Sequence, residues 1–436
     1  VPAWTGSLKS RRGEFLRGFL WPLALVVLTP PTVVVLWETC RYLHGSLWRL
    51  TSADGWDVIG DRFPAPTWTA AGIIVGFLTF EALLLRFLPG RYDHGPVTPA
   101  GQRPRYRLNG VAAWVVTHAV FLAGSYGLKW FSPGVLYARF GELLITMCVS
   151  CLVLCWLLYL KGRFAPSSAD AGTNRTLVMD YFWGVELHPS VFGIDLKQLF
   201  NCRFGMMGWS LLVVSFAGYQ HHTTGHLTNA LAVSVLLQVV YIVKFFVWEG
   251  GYFASLDVMH DRFGYYLCWG VTTWLPGVYS LAAQYLTANP HDIPWPAAAA
   301  LVVVGLGAIW VNYDADRQRQ RTRRTGGETR VWGRPPELIR ARYTTDDGRT
   351  HDSLLLVSGW WGLARHFHYL PEFVAALTWS LPAGPGHLLP YFYPVFLAVL
   401  LLDRTGRDDR RCAAKYGPYW DEYRSRVRWR IVPYLY

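Results

Sequence analysis

Long apolar blocks alternate along the chain with short segments that hold most of its charge. Crossing the roughly 30 Å hydrocarbon core of a bilayer takes about 20 apolar residues in a helix, and a few fewer where neighbouring helices bury the ends. Ten blocks meet that requirement, near 19–43, 67–88, 110–131, 139–160, 205–220, 227–248, 264–287, 297–313, 357–381 and 387–402. The pattern therefore predicts an all-α polytopic membrane protein with about ten transmembrane helices. Blocks five, eight and ten are short, and Pro390 and Pro394 predict a kinked or half-inserted tenth segment.

Charge tests this count, because Lys and Arg concentrate in cytoplasmic loops. With ten spans, the segments on the N-terminal side hold 33 of the 41 Lys and Arg residues, and the opposite loops hold only Arg49 and Arg62. A miscounted span would send the basic segments to alternating sides. The asymmetry supports an even number of spans and two cytoplasmic termini. Lys9, Arg11, Arg12 and Arg17 precede the first block, which is too long for a removed signal peptide and reads as a retained span.

Composition narrows the class further. With 52% apolar residues, 16% charged residues and 22 Trp, the chain is neither disordered nor collagen-like, and it has too little charge for a water-facing surface. The net charge of +12 would suit a soluble nucleic-acid binder, but the apolar blocks exclude one. Most Trp and Tyr residues are expected in interfacial belts and helix packing. Seven cysteines, an odd number, give no disulfide framework. Cys148, Cys151 and Cys155 share one face of the fourth helix without a His or carboxylate, and are expected to pack between helices as small residues. His221, His222 and His226 resemble a single histidine box, but di-iron sites need about three boxes converging, and His351, His366 and His368 fall on the other side of the membrane. No metal is expected.

Two basic segments share one side. Residues 312–349 carry a net +4 and residues 404–436 a net +5. Lipid headgroups would account for part of this charge. The first segment, however, spaces Arg317, Arg319, Arg321, Arg323 and Arg324 along a helical extension of span eight. The second interleaves Arg, Asp and aromatic residues in RDDRRCAAKYGPYWDEY, 407–423. Guanidinium groups bind phosphate bidentately and Tyr or Trp rings stack on bases, so a phosphorylated aromatic ligand, such as a dinucleotide, fits both segments. No GxGxxG follows a strand, which leaves membrane helices and tails to hold such a ligand. Between them, Asp347-Gly348 lies within partly alternating runs and predicts a small cytoplasmic hairpin in 331–356.

These stretches resemble the sterol reductases. The resemblance rests on LPGRYDHGPVTPAG (88–101), MDYFWGVELHP (179–189), HDRFGYYLCWG (260–270), RRTGGETRVWGRPP (323–336), LLVSGWWGLARHFHYL (355–370), GHLLPYFY (386–393) and the 407–423 run. The ARHF wording at 364–367 and the GHLLPYFY run are similar to the branch that reduces the C7=C8 double bond, whereas C-14 reductases and the lamin B receptor carry an RHPNY-like form. The resemblance implies a ten-helix enzyme that reduces a sterol with NADPH. It implies cofactor binding by Arg319, Arg323, Leu356, Trp361, His368, Tyr369, Asp408, Cys412, Lys415, Tyr416 and Tyr423, with Arg319 and His368 departing from the Lys and Asn usual in the family. The organisation it implies is a cytoplasmic 1–18 segment, spans one to eight over 19–313, and a C-terminal NADPH-binding part over 314–436 that includes spans nine and ten. Implied partners are a sterol, the lipid bilayer and other enzymes of sterol synthesis. The expected location is the endoplasmic reticulum in a eukaryote and the inner membrane in a bacterium.

The chemistry narrows the roles. An isolated steroid alkene is too electron-rich to accept hydride directly, so protonation precedes hydride transfer, and the site must supply an acid and exclude water. The expected catalytic residues are Asp408, for placement and electrostatics, Tyr423, for placement or proton relay, and Tyr266, as a proton donor linked to Asp261 or to water. In the alternative arrangement, Asp261 pairs with Arg262 and merely ties loops together. Glu249, His260, Asp261 and Trp269, at or near membrane depth, are expected on the substrate side. Glu81 and Arg86 are expected to form a structural ion pair, or Arg86 to snorkel. A membrane methyltransferase of the isoprenylcysteine type shares the 365–369 and 418–423 patterns, but the ten spans and the VWGRPP and GHLLPYFY stretches favour the reductase.

Overall fold

The computed structural model describes residues 16–174 and 176–436, apart from the side chain of Arg17. Lys9, Arg11, Arg12 and nearly all of the expected 1–18 segment lie outside the described residues. Seven of the described helices are long and apolar enough to cross a membrane: α1 (Gly18–Tyr42), α2 (Trp68–Phe87), α3 (Gly110–Gly127), α4 (Phe140–Phe164), α5 (Gln198–Thr224), α6 (Asn229–Val247) and α7 (Trp295–Arg324). Each matches one of the ten apolar blocks. The seventh block, 264–287, is helical from Tyr265 on except at Ser280, but its middle, Gly270–Tyr279, is wound as a wide π-helix around Pro276. Block nine supplies only the 12-residue α8 (Tyr369–Ser380), about 18 Å long, because Gly359 and the extended backbone at Ala364 interrupt its first half. Block ten begins the 25-residue α9 (Phe392–Tyr416), which continues into charged sequence and is followed by α10 (Pro418–Arg426).

Side-chain exposure shows which faces meet lipid. Val75 and Leu83 on α2, Val149, Val153 and Leu157 on α4, and Val303 and Trp310 on α7 are exposed apolar residues. In an integral membrane protein this outward apolar surface is the one that lipid covers. Trp68, Trp130 and Trp295, at the ends of α2, α3 and α7, are exposed, as expected of an aromatic belt. By contrast, 89% of the apolar stretch of α5 is buried, which makes it the central helix.

The central helix carries a buried charge, Arg203, which pairs with Glu249 at 2.6 Å and donates to Asn109 Oδ1 at 2.8 Å. Glu249 also accepts the Gly110 amide at 3.0 Å. The approach is so close that a Cβ at Gly110 would lie 2.7 Å from the Glu249 carboxylate, which explains glycine at the start of α3. Glu81 accepts from Thr117 at 2.6 Å, whereas Arg86 is exposed, so the expected Glu81–Arg86 pair does not form.

Two features place the functional face. At about 1.5 Å per residue the 30-residue α7 is about 45 Å long, so its last turns, with Arg317 to Arg324, project past a 30 Å core. Beyond it lies the expected hairpin, strands β1 (Leu338–Thr344) and β2 (Thr350–Leu356), paired antiparallel from Leu338 opposite Leu356 to Thr344 opposite Thr350. Ile339, Ala341 and Leu355 of the hairpin pack on Cys412, Tyr416, Trp420 and Tyr423 of α9 and α10 in a small apolar core separate from that of the bundle.

Removing one partner of a buried ion pair leaves the other uncompensated. Glu249→Ala is expected to lower stability by about 3–5 kcal/mol through the orphaned Arg203. Thermal unfolding of the variant in detergent, beside Glu249→Gln, checks this, with the Gln variant the milder of the two.

Candidate functional site

Helical spacing gathers the polar residues of the C-terminal third. Asp408, Arg411, Cys412 and Lys415 recur at i, i+3, i+4 and i+7 on α9 and therefore share one face. Arg319 and Arg323 are four residues apart on the projecting end of α7 and face the same space. The hairpin closes another side through Tyr343, Ser353 and Leu356, and Tyr423 of α10 and Trp361 complete the wall. The enclosed cavity is about 550 Å³. Five basic side chains line it (Arg319, Arg323, Arg365, Arg411 and Lys415) against the two carboxylates Asp346 and Asp408.

Cation and ring alternate around this wall. Lys415 Nζ stands 3.7 Å from the centre of the Tyr343 ring, and the Arg319 guanidinium 4.2 Å from that of Trp361. Burial, with the cationic Arg411 and Arg323 beside it, lowers the Lys415 ammonium to about 8. Trp361 is fixed by its indole N–H to the Ala315 carbonyl at 2.7 Å, and its own carbonyl accepts from Tyr423 at 3.2 Å. Basic groups interleaved with flat rings in a recess of this size suit a polyanionic, aromatic ligand.

A second cavity, about 330 Å³, runs from this point into the helix bundle. Its walls mix aromatic rings, among them Trp209, Trp274, Tyr279 and Tyr393, with ionisable groups, among them Tyr241, Lys244, Asp257, Tyr266, Asp316, Glu372 and Arg404. Tyr241 donates to Glu372 at 3.3 Å, and Lys244 donates to Asn312. Ala254, Arg319, Asp408 and Arg411 line both cavities. Asp408 is thus at the junction, bound by Arg411 at 2.7 Å and by His366 Nε2 at 3.1 Å. Burial alone would raise this carboxyl, but Arg411 and His366 hold it well below the usual carboxylate range.

A ring-lined pocket of mixed polarity that meets a basic one at a fixed anion suits a ring-shaped substrate beside a phosphorylated cofactor. Comparison with known proteins decides the family. A model of the ergosterol biosynthesis ERG4/ERG24 family matches residues 43–436. The chain is 44% identical to a 7-dehydrocholesterol reductase of Arabidopsis thaliana over 95% of its own length and 96% of that protein. It is 36% identical to a 7-dehydrocholesterol reductase of Xenopus laevis, over 87% of the chain and 83% of the relative. It is also 36% identical to a Delta(14)-sterol reductase of Methylotuvimicrobium alcaliphilum, over 98% and 96%. The chain belongs to this family.

In this sterol reductase the residues implied by sequence resemblance divide between the two cavities. Arg319, Arg323, Leu356, Trp361, Asp408, Cys412, Lys415, Tyr416 and Tyr423 line the basic one, whereas His368 and Tyr369 line the other. Of the expected substrate-side residues, His260 faces the basic cavity, while Glu249 and Trp269 line neither. Glu249 is committed to Arg203, and Trp269 stacks on Tyr265 at 5.3 Å. Asp261 is buried against Arg407 at 3.2 Å and His260 at 3.0 Å, so the Asp261–Arg262 pair considered from sequence does not form; Arg262 donates to the Gly172 carbonyl instead. Tyr266 reaches the second cavity and accepts from Arg407 at 3.1 Å. The exposed His221, His222 and His226 stand at the end of α5 where Asn229 meets Asp292, remote from His366 and His368 beside the Asn312 turn of α7.

Sequence reasoning missed Tyr241, Lys244, Asp316 and Glu372. Lys244 and Glu372 had a signal, since Lys244 is the lone charged residue of its apolar block and Glu372 the lone carboxylate of its own. Tyr241 had none among 24 tyrosines.

A carboxyl held below its unfolded value of about 3.9 stabilises the fold above that pH and loses this contribution as pH falls through the folded value. Asp408→Asn is therefore expected to be less stable at neutral pH and to lose part of the acid-induced decline seen in the parent. Unfolding midpoints across an acid-to-neutral pH series, compared between the two proteins, check the sign.

Proposed function

We propose that this sterol reductase uses NADPH to reduce the C7=C8 double bond of its sterol, in the manner of a 7-dehydrocholesterol reductase. The observation that carries the reading is the meeting of the two cavities at Asp408 and Arg411. The choice of double bond is supported by relatives named 7-dehydrocholesterol reductase and by the ARHF and GHLLPYFY stretches. The Delta(14)-sterol reductase at 36% identity keeps reduction at C14 as the second reading.

In this reading the protein has ten spans with cytoplasmic termini and the basic cavity opens to the cytoplasm, an orientation supported by the excess of Lys and Arg on that side. In a eukaryote the membrane is that of the endoplasmic reticulum. Arg319, Arg323, Arg411 and Lys415 hold phosphate groups, and Trp361, Tyr343 and Tyr416 flank the flat rings of the cofactor. NADPH, when bound, supplies a hydride. Asp408, pinned by Arg411 and His366, orients groups at the junction and adds negative potential where a carbocation develops.

The proton comes from the second cavity. In the reactive state Glu372 is protonated and donates to Tyr241 Oη, its neighbour at 3.3 Å, so Tyr241 gives its own proton to the alkene and takes that of Glu372. The carboxylate left on Glu372 then offsets the positive charge on the sterol. Tyr266, the donor expected from sequence, is less suited to this role, because its partner Arg407 stays protonated and cannot return a proton to the phenol. The apolar wall of Trp209, Trp274 and Tyr393 excludes water that would capture that cation.

Purified protein incubated with NADPH and sterols unsaturated at C7, C14 or C24(28), with products separated by mass spectrometry, tests the reading. Loss of the C7 double bond alone is expected, and reduction only at C14 would favour the second reading. Tyr241→Phe should slow turnover by about 10²-fold or more while sterol binding persists. Full activity in that variant would remove Tyr241 from the mechanism.

A further inference from the structure

We propose that Cys151, Cys155 and Cys268 form a buried three-sulfur site for a soft divalent cation of the zinc class. Cys151 and Cys155 stand one turn apart on α4, and Cys268 faces them from the 265–288 segment. The Cys151 sulfur is 3.9 Å from that of Cys155 and 3.8 Å from that of Cys268, and all three lie within 4.8 Å of one another. A zinc–sulfur bond of about 2.3 Å sets the sulfurs of a tetrahedral centre about 3.8 Å apart, the spacing that two of these pairs already have. Closing the third pair requires only a small rotation of a cysteine side chain.

The donor set selects the ion. Among the described residues, the group contains sulfur alone, with no imidazole or carboxylate, which favours zinc or its heavier congener cadmium over magnesium, calcium or manganese. All three cysteines are buried, so a charged site would be costly. Coordination by a divalent ion ionises all three thiols, releases three protons to solvent, and leaves one net negative charge in place of the three that the thiolates alone would carry. The fourth tetrahedral position falls to a small exogenous ligand such as water. An ion held there ties α4 to the segment that carries Tyr266, two residues from Cys268, and so steadies one wall of the second cavity. This role is separate from the reduction itself and stands whichever double bond is reduced.

Zinc content of the purified protein, measured by mass spectrometry after incubation with zinc and desalting, tests the site, together with X-ray absorption at the zinc edge and a cadmium titration followed by thiolate charge-transfer absorption. The expected result is about one zinc per chain in a sulfur-dominated shell near 2.3 Å, with matching cadmium absorption. Both should be lost in the triple variant Cys151→Ala, Cys155→Ala, Cys268→Ala and retained in Cys40→Ala. Zinc far below one per chain, a shell without sulfur, or undiminished binding in the triple variant would overturn the proposal. The measurements on the unsubstituted protein decide the matter even if the triple variant does not fold.

Discussion

A single carboxylate, Asp408, sits where a basic recess and a ring-lined pocket of mixed polarity meet, and the site depends on keeping it ionised there. Burial opposes a charge, so the anion has to be compensated from within the protein, and Arg411 and His366 supply that compensation from two different elements. Arg411 belongs to the same helix as Asp408, one turn on. His366 lies in the broken stretch before α8, and its amide is bonded to the Arg430 carbonyl of the C-terminal tail. The carboxylate thus joins the end of α9, the loop before α8 and the tail into one wall.

The long helices explain how a polar recess can be attached to a membrane bundle. α7 and α9 both start in apolar sequence and end in charged sequence, and each is continuous across that change. A side chain placed on either end is therefore positioned by packing inside the bundle. The hairpin and α10 then close over these ends with their own small apolar core. Between α9 and α10 the chain turns at Gly417, whose positive φ of 52° favours glycine. The same design leaves the sterol reductase with one cavity rich in cations and a second that combines rings with ionisable groups, with Arg319, Asp408 and Arg411 common to both.

How much of this could be read in the sequence follows from the physics of each signal. Apolar periodicity located seven helices well, because a membrane-crossing helix must be both long and apolar. It described the 357–381 block less well, since apolar residues next to Gly359 look the same in sequence whether they form one span or a loop followed by the short α8. The hairpin was legible through Asp347-Gly348 and alternation. The side of the basic cavity formed by α9 and α10 was legible through the 407–423 run, where i, i+3, i+4 and i+7 spacing is visible without coordinates. Glu249 was misleading, because ionisable residues at membrane depth serve structure as well as chemistry, and only the fold reveals Arg203 as its partner. Tyr241 was hidden for a different reason: its pairing with Glu372 spans 131 residues and leaves no local pattern.

The central claim is that cofactor and sterol meet at Asp408. A cryo-electron microscopy reconstruction with NADP⁺ and a C7-unsaturated sterol tests it most directly. The account predicts the nicotinamide ring beside Asp408 at the mouth of the second cavity, the phosphates against Arg319, Arg323 and Lys415, and the sterol's reacting carbons between that ring and Tyr241. A nicotinamide seated away from Asp408, or a sterol bound outside the cavity lined by Tyr241 and Glu372, would contradict it.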